Sequence, residues 1–540
     1  MKANHSAVCP TSPSPVATGS ARSLMLVVSL ALVGCAVGPD YRKPEPNVRA
    51  HWSRLDTSDD SMMYGGTTGD LSQWWRNFED ALLTELVEQA QKSSPDLRKA
   101  RARLREVRAR RTAAAAGQIP SVSMSASASR KHSDIGTSTE ATSNQFSAGF
   151  DASWELDVFG GVRRGIEAAE ADLASVTASL DDTRVSLIAE LARDYFEVRS
   201  LQIRLGIARN NLASQSETLQ LTDWRARAGL VSTQDVEQAR SNREQTLAQI
   251  PVLQTSLAEA EHRLEILLGG MPGTLHERLA QGGALPAIPS RITVGIPADT
   301  LRQRPDVRAA ERKLAAETAR VGMAQAALLP SFKLSGSIGI EALTRSPLAN
   351  SGGFFYSLLG GITAPIFNRG KLKSQVEIQD AIREQALVTY EQTVLTALQE
   401  VENALVALAR NRERSEALSR AAEAARHAAA LARQRYSAGV IDFQSVLDTE
   451  RSVLTLEDSL ATTRADGFFA LVRLYKALGG GWSPPAEAAA AGPQSSRPQS
   501  SSLSVGTIGR IRCGQDCRPK PAHGSLGEPF PGSPETKDAS

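Results

Sequence analysis

Cysteine, aromatic residues, net charge and long apolar runs are all scarce in this 540-residue chain, and each scarcity excludes something. Only Cys9, Cys35, Cys513 and Cys517 occur, all near the ends, so the folded middle is built without disulfides. Aromatics make up 5%. Tracts rich in Ala, Arg, Glu, Gln and Leu stand in their place, which favours long helices meeting through small residues over thick cores built on rings. A formal charge of +2 gives no nucleic-acid-type basic surface, so no nucleic-acid partner is expected. The basic run at 101–111 reads as a solvated helix face. The seven histidines are scattered, with no metal-spaced cluster, phosphate-binding loop or nucleophile elbow, so neither metal, cofactor nor catalysis is expected. Past the N-terminus no apolar run reaches the ~18 residues of a spanning helix, so any membrane span must come from β-strands.

What is present begins with residues 24–35, LMLVVSLALVGC, an apolar stretch preceded by Arg22. It has the shape of a secretory h-region and is too short to span. Small residues before Cys35 suit lipoprotein cleavage, which would leave Cys35 as an acylated N-terminus; Ala36 after it lacks the aspartate that retains lipoproteins in the inner membrane. At the other end, the Pro-, Ser- and Gly-rich residues 483–540 have a disordered composition.

Between these ends the chain repeats itself. Ser94-Pro95-Asp96-Leu97-Arg98 returns as Arg304-Pro305-Asp306-Val307-Arg308, Ile119-Pro120-Ser121 as Leu329-Pro330-Ser331, and Ala228-Gly229-Leu230 as Ala438-Gly439-Val440. Three anchors in one register define a duplication. The expected divisions are a leader at 1–34, a lipid-anchored linker and equatorial segment at 35–93, repeats at 94–290 and 304–482, and a tail at 483–540.

Each repeat carries two alternating segments. Ser121 opens a strict Ser/apolar alternation, and from 146 the even positions are Phe146, Ala148, Phe150, Ala152, Trp154 and Leu156 between polar neighbours. Phe332, Leu334, Ile338 and Ile340 do the same, as do Phe354, Tyr356, Leu358 and Ile362, although Phe355 and Leu359 spoil the polar side. Period two sets one face apolar and one polar, the pattern of ~10-residue membrane strands and equally of a soluble half-buried sheet. The lipoprotein-type start and the missing spanning helices favour the membrane. Four strands cannot close a membrane barrel, for which ~8 is the minimum, so copies must pool strands; three copies would give twelve. After the strands, helical pattern runs to about Arg227 and about Tyr436, with seams at Ile166, Leu173, Leu180 and Leu187 and at Val394, Leu398, Val401, Leu405 and Leu408. Some 65 residues at ~1.5 Å each give helices near 100 Å. Turns at Gly229 and Gly439 reverse them, with Ser232 or Thr233 and Asp442 as caps of the returning helices.

The start Cys35-Ala36-Val37-Gly38-Pro39-Asp40-Tyr41, the segment Trp74-Trp75-Arg76-Asn77-Phe78, the two Pro-Asp motifs, Ala364-Pro365-Ile366-Phe367-Asn368 and the close at Leu474–Trp482 resemble the TolC-like outer-membrane efflux lipoproteins. The resemblance implies a mixed membrane fold with four strands and very long coiled-coil helices per chain, trimerising into a twelve-strand β-barrel on a twelve-helix α-barrel. It implies a homotrimer in outer-membrane lipid, partnered by a periplasmic adaptor and an inner-membrane resistance-nodulation-division pump, closed at its periplasmic helix tips. Matched onto the second tip, it makes Val440, Gln444 and Asp448 the constriction and Tyr436 a latch, with Asp223, Arg225 and Arg227 as candidate partners. Gln444 stands where related channels commonly carry leucine. Two other readings remain: a type I protein-secretion channel, against which the lipoprotein start argues, and a lipid-anchored periplasmic coiled-coil scaffold.

Overall fold

The structure is a computed structural model that describes residues 36–45, 48–49, 52–53, 62–64, 71–133, 141–280, 285–286, 292–294, 297–342 and 353–483. Cys35, the leader, Cys9, Cys513, Cys517 and the tail beyond 483 lie outside the described residues. The chain falls into two units, Met1–Pro484 and Pro485–Ser540, and the described elements belong to the first. In chain order it holds β1 (Met62–Tyr64), a 3-10 turn (Leu71–Phe78), α1 (Ala81–Ser93), α2 (Pro95–Ala116), β2 (Ser121–Ser133), β3 (Ala141–Leu156), α3 (Gly161–Arg227), α4 (Thr233–Leu268), α5 (His276–Ala280), β4 (Ile292–Val294), α6 (Pro297–Gln303), α7 (Pro305–Ala326), β5 (Ser331–Ala342), β6 (Phe354–Thr363), α8 (Arg369–Ser437) and α9 (Phe443–Ala477).

The four alternating segments form one antiparallel sheet in the order β2-β3-β5-β6, while β1 and β4 pair parallel elsewhere. Register aligns even with even. Met124 lies opposite Phe150, Phe150 opposite Ile338 and Ile338 opposite Tyr356, which places the apolar set on one face. That face is bare: Met124 is 71% exposed, Tyr356 78% and Leu358 77%. The odd face is tied by polar bonds, Ser125 donating to Asp151 at 2.8 Å and hydroxyl pairs joining Ser127 with Ser147 and Ser337 with Ser357. Phe355, the aromatic on the polar side, has a local reason. Gly149 and Gly339 are paired beside it, and a Cβ on Gly339 would lie 3.1 Å from the Phe355 ring, so the ring covers bare backbone.

Pro95 and Pro305 open α2 and α7 at the first helical turn, where a missing N–H costs nothing. Below the sheet the helices stand in a row, α2 on α3, α3 on α7 and α7 on α8; further from it α4 and α9 flank α3, and α9 packs on α8. In the single chain the basic stretch on α2 is exposed, since only Leu97 and Leu104 of that helix are buried. The α8 seam holds, with Val394, Val401, Leu405 and Leu408 buried and Leu398 half-buried. On α3 the expected seam needs correction: Ile166, Leu173 and Leu180 are half-buried and only Leu187 is fully covered. The covered positions there are Ala168, Ala178, Val185, Ile188 and Ala192; α7 lies along the first part of the helix, where Ser175 donates to Ala309 O at 2.8 Å and Lys313 pairs with Asp172, while Ile188 and Ala192 belong to the main core.

The main core gathers both ends of the repeated region. Trp74 stacks on Tyr475 at 4.9 Å, Phe196 stacks on Phe468 at 4.6 Å, and Asn77 donates to the Tyr475 hydroxyl. Asp80 caps α1 through Leu83 N and also accepts from the Tyr195 hydroxyl at 2.5 Å. The N-terminal strand of chain is pinned at the base of the sheet: Val37 N donates to Phe159 O at 3.1 Å, and a Cβ on Gly38 would come within 2.4 Å of Gly322 Cα.

Candidate functional site

The helix tips are built alike in the two repeats. Gly229 and Gly439 adopt φ of +73° and +77°. Around them Leu230 N donates to Arg225 O and Val440 N to Arg435 O, both at 2.9 Å, which satisfies carbonyls that a helix end leaves open. The returning helices are capped by Ser232, which shares a capping box with Asp235, and by Asp442, which accepts from Ser445 N at 3.0 Å. Thr233 is the first helical residue instead of the cap. The Ser445 hydroxyl, which donates to the same carboxylate at 2.6 Å, and the Ser445 N–H together hold the Asp442 carboxyl below the ordinary aspartate value.

Tyr436 lies under this turn, 2% exposed, in a small cluster with Ala239, Ala432, Phe443, Val446 and Leu447. Arg225 is its partner. The guanidinium donates to the Tyr436 carbonyl and its carbon sits 4.5 Å from the ring centroid, while the Tyr436 hydroxyl meets Thr222 at 3.4 Å. Asp223 and Arg227 do not reach the tyrosine; they pair with one another at 2.7 Å along the surface of α3. Val440 is 72% exposed, and Gln444 donates to Asp448 at 2.9 Å, so the three residues line one open face of α9 and its turn.

Sequence reasoning missed the polar contacts that continue this link away from the tip. Thr218 donates to Glu450 at 2.6 Å, and both are buried. Burial pushes the Glu450 carboxyl up, opposed by the Thr218 bond and the nearby Arg433 charge. Arg433 donates to Ser214, Asn211 to Glu457 at 3.3 Å, and Arg204 grips Asp458 in two bonds of 2.7 and 3.1 Å. All join α3 to the second hairpin. A signal was present for Glu450: with Phe443, Val446 and Leu447 it falls at core spacing on α9, where a carboxylate needs a partner. Among the described residues no group of three or more His, Cys, Asp or Glu could hold a metal ion, and no helix is long and apolar enough to cross a membrane.

A sheet bare and apolar on one face, continued by helices of 67 and 69 residues with capped glycine turns at their ends, is the build of a TolC-like outer-membrane channel subunit. Comparison with known proteins agrees: the chain belongs to the outer membrane efflux protein family, whose model matches residues 86–270 and 296–480. The two matched stretches are displaced as the internal repeat is, by about 210 residues. Nodulation protein T of Rhizobium leguminosarum bv. trifolii is 35% identical over 474 residues, covering 85% of this chain and 97% of that protein. The pyoverdine export outer membrane protein OpmQ of Pseudomonas putida is 34% identical over 418 residues, covering 76% and 88%. Among solved structures, the outer-membrane channel OprN superposes with a TM-score of 0.78 at 39% identity, over 83% of this chain and 100% of that one. The protein is accordingly an outer-membrane channel that reaches into the periplasm, and not an enzyme.

Proposed function

We propose that three copies close into a twelve-strand barrel on a twelve-helix conduit, which serves as the passive exit duct of a tripartite efflux pump. The observation that carries this reading is the four-stranded sheet itself. Its apolar face is bare, its other face is polar, and β2 and β6 have no strand beyond them among the described residues. Unpaired strand edges are not tolerated in hydrocarbon, and pooling strands removes them. A periplasmic adaptor and an inner-membrane resistance-nodulation-division pump supply the energy and choose the cargo, since a water-filled duct of this size has no selective pocket. The divisions are a leader at 1–34, an anchor and equatorial segment at 35–93, repeats at 94–290 and 304–482, and a tail at 483–540. Cys35 carries acyl chains as the mature N-terminus; support comes from Val37, bonded to Phe159 O, and Gly38, packed against Gly322, at the base of the sheet.

In this reading the resting duct is closed at the tips, with Val440, Gln444 and Asp448 turned inward and the Tyr436–Arg225 contact holding the second hairpin against α3. Threefold symmetry makes a carboxylate ring of Asp448, which favours cations. The test is reconstitution. Deleting the gene should sensitise cells to the pump's cargo, and full-length protein should restore tolerance only together with adaptor and pump. Restoration by the channel without either partner would overturn the tripartite reading.

A further inference from the structure

The two free edges of the protomer carry matching charge. β2 continues directly into α2 and β6 into α8, and α2 and α8 stand at opposite ends of the helix row beneath the sheet. Each edge strand therefore has an edge helix below it. At 3.6 residues per turn, the face of α2 turned away from α3 is a stripe of Ala102, Ala109 and Ala113, all exposed. The face of α8 turned away from α7 presents Ala381, Val388 and Leu395, of which Val388 is 55% and Leu395 67% exposed. At the height of Ala102 the α8 edge presents Ala381, while Val388 and Leu395 stand further from the sheet than the alanine stripe reaches.

Charge flanks both stripes. Arg101, Arg105 and Arg108 lie along one side of the alanine stripe, and Glu377, Asp380 and Glu384 along one side of the apolar stripe; all six are exposed. α2 runs toward the sheet and α8 away from it, so with the stripes face to face the basic and acidic flanks fall on the same side. Their heights also agree. Arg108, Arg105 and Arg101 stand eight, eleven and fifteen residues before the end of α2 at Ala116, and Glu377, Asp380 and Glu384 stand eight, eleven and fifteen after the start of α8 at Arg369. At a rise of ~1.5 Å per residue, each pair sits equally far from the sheet-side ends of the two helices, roughly 12, 16 and 22 Å. Within the protomer, Arg105 and Arg108 have no carboxylate partner among the described residues; Arg101 reaches Gln91 O, and Asp380 reaches Arg383 on its own helix at 2.9 Å.

We infer that the partner of the α2 edge is the α8 edge of a second copy of this chain, joined by Arg108–Glu377, Arg105–Asp380 and Arg101–Glu384, and that this arginine–carboxylate ladder sets the register in which protomers assemble. The inference rests on the trimer reading above and adds the residues that specify it. Threefold symmetry repeats every pair at three interfaces, so a modest contribution per pair compounds.

The test is charge reversal in the full chain, with Arg105→Glu, Asp380→Arg and the two combined, scored as the fraction of heat-modifiable trimer in outer-membrane extracts. An exposed pair is worth roughly threefold in an equilibrium constant. Each single reversal should therefore lower trimer association about thirtyfold over three interfaces at low salt. The deficit should fade at about 1 M salt, where the screening length is ~3 Å. The double reversal should recover wild-type assembly. Wild-type protein that is not trimeric would sink the trimer reading and this one together. A trimeric wild type with unaffected single variants, or singles that the double fails to rescue, would overturn the ladder alone.

Discussion

Arg225 and Tyr436 show how much a single side chain decides at the tip. Asp223, Arg225 and Arg227 alternate along α3, so the outer two share one face and pair with each other, while Arg225 is turned to the opposite side, onto the tyrosine. Removing it leaves the Tyr436 carbonyl and ring without their cation, a contact worth ~0.5–2 kcal/mol. Arg225→Ala should therefore raise the resting conductance of reconstituted channels while leaving assembly intact; an unchanged resting conductance would exclude Arg225 from the latch. Glu450 gives a prediction in pH. Its carboxyl is held above the ordinary glutamate value of ~4.3 by burial, so the folded tip favours the protonated form. The site's contribution to stability is fully present below that ordinary value and is lost as pH rises through the raised one. Glu450→Gln keeps an oxygen to accept from Thr218 and removes the charge, so it should raise thermal stability near neutral pH and flatten its pH dependence. Melting curves across this range check it, and an undiminished pH dependence in the variant would contradict it. Both partnerships were invisible in the sequence because Arg225 and Tyr436 are separated by more than two hundred residues, as are Thr218 and Glu450.

At the scale of elements, periodicity was the legible part. Strands and long helices fell where period two and the heptad spacings placed them, because burial on one face is a local pattern. Phe150 belongs to the bare apolar row and Ser153 to the polar one. A charge at Phe150 should cost ~2–4 kcal/mol if that row faces lipid, and block assembly, while a charge at Ser153 is tolerated. Outer-membrane fractions probed for trimer decide, and equal tolerance would return the sheet to a soluble setting. The α3 seam was less legible. Apolar residues at seven-residue spacing suggested the covered side, yet Ile166, Leu173 and Leu180 are only half-buried, and α7 meets the helix along Arg164, Gly165, Asp172 and Ser175, a face of small and polar residues that a hydrophobicity pattern underweights. The ring of Phe355 over Gly339 belongs to the same class, a packing need set by a neighbouring strand.

The whole molecule was readable in outline because the duplication exposed it before any strand was assigned. What the sequence could not supply is the mutual placement of remote segments: Trp74 against Tyr475, or the N-terminal Gly38 against Gly322. That last contact holds the N-terminal end of the described residues at the sheet's base. If Cys35 is acylated, its chains would enter the membrane where the strands do, and two or three acyl chains anchor firmly where one is marginal. Mass spectrometry of the mature N-terminus should find a diacylglyceryl, N-acylated Cys35, and an unmodified cysteine would remove the anchor. The central claim, a passive cation-preferring duct closed by its own tips, is tested most directly by single-channel recording of purified trimers in planar bilayers. The expected result is a small, cation-selective resting conductance whose selectivity falls in Asp448→Ala without loss of the trimer. Folded trimers that conduct nothing in any variant, or a selectivity indifferent to Asp448, would contradict it.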